Sequence, residues 1–202
     1  MKNLFEWPNQ KPNVPQSGHH WCHETNATVL QQMIAHMNPK FILELGSWTG
    51  AGSTTLIANN APNAQIICVD HWSKDLNDFV QDECGLEQLK EFEPQIEVLW
   101  ETFLVNMWEH KHHVTPLRAT TKEGLKTLST LNIPFDIIYI DAHHDYAPVK
   151  LDIEMSHKNW PNATIIGDDY SWKTVSKAVH DYADENNLKV ETHGNCWWYL
   201  IN

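Results

Sequence analysis

Short apolar runs in this sequence end on carboxylates, and those ends are where its chemistry is to be sought. Glu44 opens Glu44-Leu45-Gly46-Ser47-Trp48-Thr49-Gly50, and Asp70 follows Ile66-Ile67-Cys68-Val69. Asp141 follows Ile137-Ile138-Tyr139-Ile140, and the pair Asp168-Asp169 follows Ile165-Ile166-Gly167. In an open parallel sheet, ligands bind beyond the carboxyl ends of the strands. The first loop reads Gly46-x-x-x-Gly50-x-Gly52, not the Gly-x-Gly-x-x-Gly that settles a pyrophosphate on a helix N-terminus. Glu44 would repel a pyrophosphate but tolerates a cationic sulfonium with an amino-acid tail. Asp70 ends the next strand, where an acid can take both ribose hydroxyls. Glu44, Gly46, Ser47 and Gly50 with Asp70 and His71 thus outline a nucleoside-type cofactor site. A tight structural turn is the alternative.

Asp141, Asp168 and Asp169 point to a second ligand. Adjacent strands lie about 4.8 Å apart, so the terminal residues of the two strands face one small space. Three carboxylates repel one another there unless a cation sits between them. All-oxygen donors favour a hard ion, Mg²⁺, Mn²⁺ or Ca²⁺. Consecutive strand residues point to opposite faces, so Asp168 and Asp169 converge only if the chain turns between them. Such an ion can orient a hydroxyl and lower its pKa while a base removes the proton. His143 and His144, just past Asp141, supply imidazoles for that task.

The elements that must position these residues follow from periodicity and breakers. A helix over residues 25–37, capped by Thr25 or Asn26, stops at Pro39. Strands over 41–45, 65–69, 114–118, 135–140 and 164–167 alternate with helices over 53–59, 122–128, 149–159 and 175–186. That alternation predicts an α/β, Rossmann-like, doubly wound sheet that is mostly parallel. Two further strands, 189–192 and 196–201, joined through His193-Gly194-Asn195, leave no room for a helix and must form a C-terminal antiparallel hairpin. The sheet is expected to have seven strands. Residues 1–24 read as an irregular arm, and 25–202 as one domain. Residues 71–113 break the rhythm and read as a lid-like insertion with helical pieces over 86–92 and 98–108.

The motifs together resemble a class I S-adenosylmethionine-dependent methyltransferase. Within that class they are most similar to the small family related to macrocin O-methyltransferase and other sugar O-methyltransferases. The resemblance covers roughly residues 25–202, and the Asp141 and Asp168-Asp169 segments are its most specific parts. It implies S-adenosyl-L-methionine across Glu44–Gly52 and Asp70, with adenine near Ala119 and Thr120, and Asp141 within reach of the donor. It implies magnesium on Asp141, Asp168 and Asp169. The family places a carboxylate base two residues after the metal-binding Asp. Here that position is His143, which becomes the expected general base with Asp141 as its catalytic partner. His144 matches the family's own His, and an orienting hydrogen bond to a metal ligand is its first expectation. The acceptor would be a small-molecule hydroxyl on a sugar or catechol-like diol.

Composition narrows the partners. With 14 Lys+Arg against 26 Asp+Glu and a formal charge of −12, the chain lacks the basic footprint of a nucleic-acid binder. Four scattered Cys form no Cys-x-x-Cys pair, so neither a disulfide framework nor a thiolate zinc site is expected. No signal-peptide core and no stretch of transmembrane length is legible, so no membrane partner and a cytoplasmic location are expected. A homo-oligomer is compatible with all of this. Ten Trp are many for 202 residues. Most should fill the core, with Trp172 a candidate for the acceptor cleft. His19-His20-x-x-His23 lies in the irregular arm, and His110-x-His112-His113 reads as solvated or cleft-lining. Two rival functions are a nicotinamide oxidoreductase, disfavoured by the glycine spacing, and a non-catalytic domain that keeps the cofactor fold for interaction.

Overall fold

The computed structural model describes residues 5–18, 22–74 and 96–200. The order is α1 (Glu24–Met37), β1 (Phe41–Leu45), α2 (Ser53–Asn60), β2 (Gln65–Asp70), α3 (Leu99–Asn106), a 3₁₀ turn (Trp108–His110) and β3 (Val114–Arg118). Then come α4 (Thr121–Ser129), β4 (Ile137–Ile140), α5 (Tyr146–Asn159), β5 (Thr164–Gly167), α6 (Lys173–Asn186), β6 (Lys189–His193) and β7 (Cys196–Leu200). The strands form one seven-stranded sheet in the order β3-β2-β1-β4-β5-β7-β6. β1 to β5 are parallel, and β7 runs antiparallel to both β5 and β6. The Rossmann-like sheet with its closing hairpin is the one the alternation predicts. The order reverses between β1 and β4, and this switch point is where an α/β sheet opens a crevice for a ligand.

The pleat sorts the apolar runs onto two faces. Leu43, Leu45, Ile67, Val69, Ile138 and Ile140 pack with residues of α4, α5 and α6. Their neighbours Ile42, Ile66, Cys68, Ile137 and Tyr139 pack with residues of α1, α2 and α3. Continuous apolar strands are what a sheet covered on both faces requires. Each fully buried Leu or Ile contributes roughly 1.5–3 kcal/mol.

Several boundaries differ from the sequence reading, and β4 begins at Ile137 instead of at 135. α1 is capped not by Thr25 or Asn26 but by His23, whose ring accepts from the Thr25 N–H at 3.3 Å. Asn26 is buried inside the helix, where it donates to the Tyr139 hydroxyl at 3.2 Å. α5 and α6 begin earlier than their apolar periodicity, because polar and aromatic residues occupy their first turns. Pro148 sits in the first turn of α5, where its missing N–H costs nothing.

The insertion differs more. Its expected helix over 86–92 lies outside the described residues. The described end packs into the core, where Leu99, Phe103, Leu104 and Met107 are buried with α1, α2 and one face of the sheet. His113 is buried too, at the edge of the sheet opposite the loops, with its Nδ1 2.8 Å from His112 Nε2. Burial, then His112 and His110, push its pKa down to about 4. Among the described residues no helix is long and apolar enough to cross a membrane.

Candidate active site

The glycine-rich loop is held from below by Glu44. The carboxylate shares a sheet face with Cys68 and is fully buried. It accepts from three hydroxyls: Ser47 at 2.7 Å, Ser53 at 2.7 Å and Thr54 at 2.6 Å. Burial raises its pKa and the three hydroxyls oppose that shift. Glu44 thereby ties the loop to the first turn of α2. Its acceptors face the loop's own residues.

Asp70 holds the same loop from the side. Its Oδ2 accepts from the N–H groups of Ser47 and Trp48, both at 2.9 Å, and its Oδ1 from Trp72 N–H at 2.8 Å. A carboxylate offers about four acceptor positions. Three are engaged by backbone, which leaves Oδ1 room for a further donor. The loop amides that would cradle a phosphate are turned onto Asp70 instead, which agrees with the glycine spacing in disfavouring a dinucleotide. The chain does carry one Tyr-x-x-x-Lys spacing of the kind an oxidoreductase would use, Tyr146 to Lys150. Both residues are engaged at the α5–α6 surface, Tyr146 donating to Asp181 at 2.7 Å and Lys150 pairing with Glu185 at 2.6 Å.

Trp72 completes the loop and was not singled out from sequence. It is fully buried, at φ +39°, and its indole N–H donates to the Trp48 carbonyl at 2.7 Å. Trp48 itself sits at φ +48°. Arg118 donates to the carbonyls of His71 at 3.2 Å and Trp72 at 3.0 Å, fixing the turn after β2. The His71 ring accepts from Ser73 N–H at 2.9 Å. On the next loop Ala119 N–H bonds the Asp70 carbonyl at 3.0 Å, and Thr120 caps α4 in a reciprocal capping box with Glu123.

Across the switch point the loops after β1 and β4 touch. A Cβ on Gly46, at φ +84°, would fall on the Asp141 carbonyl, so no side chain fits there. The Asp168-Asp169 turn meets the condition the sequence set for convergence. Asp169 adopts φ +59°, and Asn195 from the β6–β7 hairpin donates to Asp168 Oδ1 at 2.7 Å and Asp169 Oδ1 at 3.2 Å. The Tyr139 hydroxyl donates to Asp168 Oδ2 at 3.3 Å. Burial, then the charges of Asp168, Asp169, Glu44 and Asp70, push the Asp141 carboxyl well up. Burial and Asp169 do the same to Asp168. Cys22, entering α1, is pushed up to about 12 by burial and by Asp141, Asp168 and Glu44, so this segment stands beside the same carboxylates.

The donor chemistry suits a hard divalent cation, since unrelieved negative charge is what such an ion offsets. Among the described residues, however, no group of three His, Cys, Asp or Glu is drawn together tightly enough to hold a metal. The Asn195 amide bridges Asp168 and Asp169, and His144 Nε2 lies 2.7 Å from Asp169 Oδ2.

That last contact ties the His144 ring to Asp169. The ring stacks on Trp172 at 4.7 Å between centroids, and Trp172 is 46% exposed beside it. Burial works against charge on His144, but the hydrogen bond and charge of Asp169 outweigh it and raise its pKa. His143 is shifted down, chiefly by burial, and its Nδ1 accepts from Asp145 N–H at 3.2 Å.

A doubly wound sheet with a phosphate-averse glycine loop and carboxylates at its switch point defines a Rossmann-like domain for a nucleoside cofactor. Residues 43–170 match a family described as a methyltransferase domain, and the chain belongs to that family. No curated protein matches it. Among solved structures it is similar to an O-methyltransferase from Bacillus cereus in complex with S-adenosylhomocysteine, at 17% identity and TM-score 0.60, over 90% of this chain and 83% of that one. An O-methyltransferase of tomaymycin synthesis from Streptomyces achromogenes, in complex with S-adenosylmethionine, has 15% identity and TM-score 0.61, over 87% and 78%. A methyltransferase from Podospora anserina bound to S-adenosylhomocysteine has 13% identity and TM-score 0.57, over 87% and 77%.

Proposed function

We propose that this methyltransferase transfers the methyl group of S-adenosylmethionine to a hydroxyl of a small molecule carrying adjacent oxygens, such as a sugar or catechol-like diol. One observation carries the reading: the loop whose amides are turned onto Asp70 abuts, at Gly46, the strand end that bears Asp141. Glu44, Gly46, Ser47 and Gly50 would hold the methyl donor, whose sulfonium supplies the methyl group when bound. Asp70 Oδ1 would accept from its ribose, and His71, Ala119 and Thr120 would border the nucleoside.

Asp141, Asp168 and Asp169 would hold a divalent cation, which supplies polarisation of the acceptor hydroxyl when bound. The two imidazoles then divide the proton work by tautomer. With Nε2–H donating to Asp169, neutral His144 keeps a lone pair on Nδ1. The corresponding lone pair of His143 is already engaged by Asp145 N–H, leaving its Nε2–H as a donor. Proton acceptance is therefore assigned to His144, in place of the His143 suggested by family spacing, and acceptor orientation to His143. Trp172 offers an apolar face beside them.

The test is methyl transfer from radiolabelled S-adenosylmethionine across a panel of sugars and catechols, with and without EDTA. His144→Gln should lower kcat by roughly 10²–10⁴-fold, as loss of a general base does, and His143→Gln far less. The reverse ranking would move the base back to His143. Turnover indifferent to both EDTA and Asp168→Asn would remove the cation from the reading.

A further inference from the structure

The side-chain amide of Asn106, the last residue of α3, donates to two backbone carbonyls: Ser17 at 3.1 Å and Thr49 at 2.8 Å. The first belongs to the N-terminal arm and the second to the glycine-rich loop. An amide nitrogen carries two hydrogens, so both bonds form at once. Among the described residues its oxygen, Oδ1, is buried without a partner. A buried unpaired acceptor is costly, so packing alone would favour leucine here. The two donated bonds are what an amide contributes at this position.

The same helix supports both partners by packing. A Cβ at Gly50 would meet Phe103 at 3.0 Å and Met107 at 3.3 Å, so α3 and the turn after it lie directly against the loop. Farther along the arm, Trp7 Nε1 donates to the Val114 carbonyl at 3.1 Å. Phe5 meets Trp7 and Trp100 edge to face at 5.7 and 5.4 Å, and Trp100 belongs to α3. Arm and loop thus rest on one helix and share one side-chain amide.

We propose that Asn106 is a positioning residue that couples the N-terminal arm to the methyl-donor loop, so that docking of the arm and occupancy of the donor site reinforce each other. The proposal rests on the donor-binding reading above. Linkage makes the coupling reciprocal: an arm that raises donor affinity is itself protected by the donor to the same degree.

The experiment uses the full chain with S-adenosylhomocysteine as probe, read by calorimetry and by hydrogen exchange over residues 5–18. In the wild type the probe should slow exchange of the arm. Asn106→Asp keeps the size but turns a carboxylate oxygen toward two carbonyls. It should weaken probe binding by about tenfold, the effect of losing bonds of this kind, and abolish the probe-induced protection of the arm. A merely structural role would lower the melting temperature without removing that protection. Trp7→Phe removes the N–H bond at the far end of the arm, together with the fused pyrrole ring, and keeps an aromatic face there. It should weaken probe binding as well, and the two substitutions combined should fall short of additive. The coupling is overturned if Asn106→Asp binds the probe like the wild type, or if Trp7→Phe leaves affinity unchanged. A wild type that does not bind the probe at all would instead sink the donor reading beneath it.

Discussion

Gly46 is the residue on which the two halves of the site meet. It lies in the left-handed region, and any Cβ there collides with the backbone of Asp141 rather than with a side chain that could swing away. Gly46→Ala should therefore cost roughly 2–4 kcal/mol of stability, through backbone strain together with displacement of the β4 loop. Binding of S-adenosylhomocysteine should fall with it. Denaturant unfolding alongside calorimetry checks this, and a variant that binds and unfolds like the wild type would refute it. Residue types were legible in the sequence wherever chemistry demanded them: Glu44, Asp70, Asp141, Asp168 and Asp169 all stand at strand ends. Their partners were not. Asn195 reaches the aspartates from a hairpin far along the chain, and Asn26 reaches Tyr139 from α1, through contacts that no local spacing encodes.

Among the elements, the loop between β1 and α2 is held by its neighbours more than by its own glycines. Asp70 takes its amides, Glu44 its hydroxyls, and Trp72 the carbonyl of Trp48. Trp72 also packs on Trp100 and Phe103 at 4.8 and 4.5 Å, so its indole is both wall and latch. Trp72→Phe removes the latch and, with the fused pyrrole ring, part of the wall. It should cost about 1 kcal/mol for the lost hydrogen bond and a further cavity penalty at this buried position. It should also raise the dissociation constant for S-adenosylhomocysteine severalfold. Equal affinity in the two proteins would show that the latch does not shape the donor site. Strands, helices and the closing hairpin were readable because apolar runs, helical periodicity and turn residues are local signals. The role of α3 was not, because its apolar residues signal burial without saying against what. A lid and a core layer carry the same pattern, and it is the fold that shows Phe103 and Met107 buried with α1 and α2 and against Gly50.

For the whole molecule, the acidic balance discouraged nucleic acid as a partner but said nothing of one carboxylate sealed far from the site. Asp152 on α5 is 1% exposed, and among the described residues no donor stands at full hydrogen-bond distance from its carboxylate oxygens. Burial raises it from 3.8 to about 7, with Thr121 of α4 opposing the shift only in part. The folded state therefore holds this proton more tightly than the unfolded chain. Between the two values the native state binds the extra proton, so global stability falls as pH rises from about 4 to about 7 and levels off above. A shift of this size corresponds to a penalty on the order of 4 kcal/mol above neutrality. Asp152→Asn cannot ionise, so it should keep its acid-side stability at pH 8 and unfold at higher denaturant than the wild type there. Near pH 4 the two proteins should be nearly alike. Because both carry every other carboxylate, their difference isolates Asp152 from the general repulsion of a chain with formal charge −12. Urea unfolding midpoints for the pair from pH 4 to 8 make the comparison, and parallel pH profiles would show that Asp152 is not protonated in the native core.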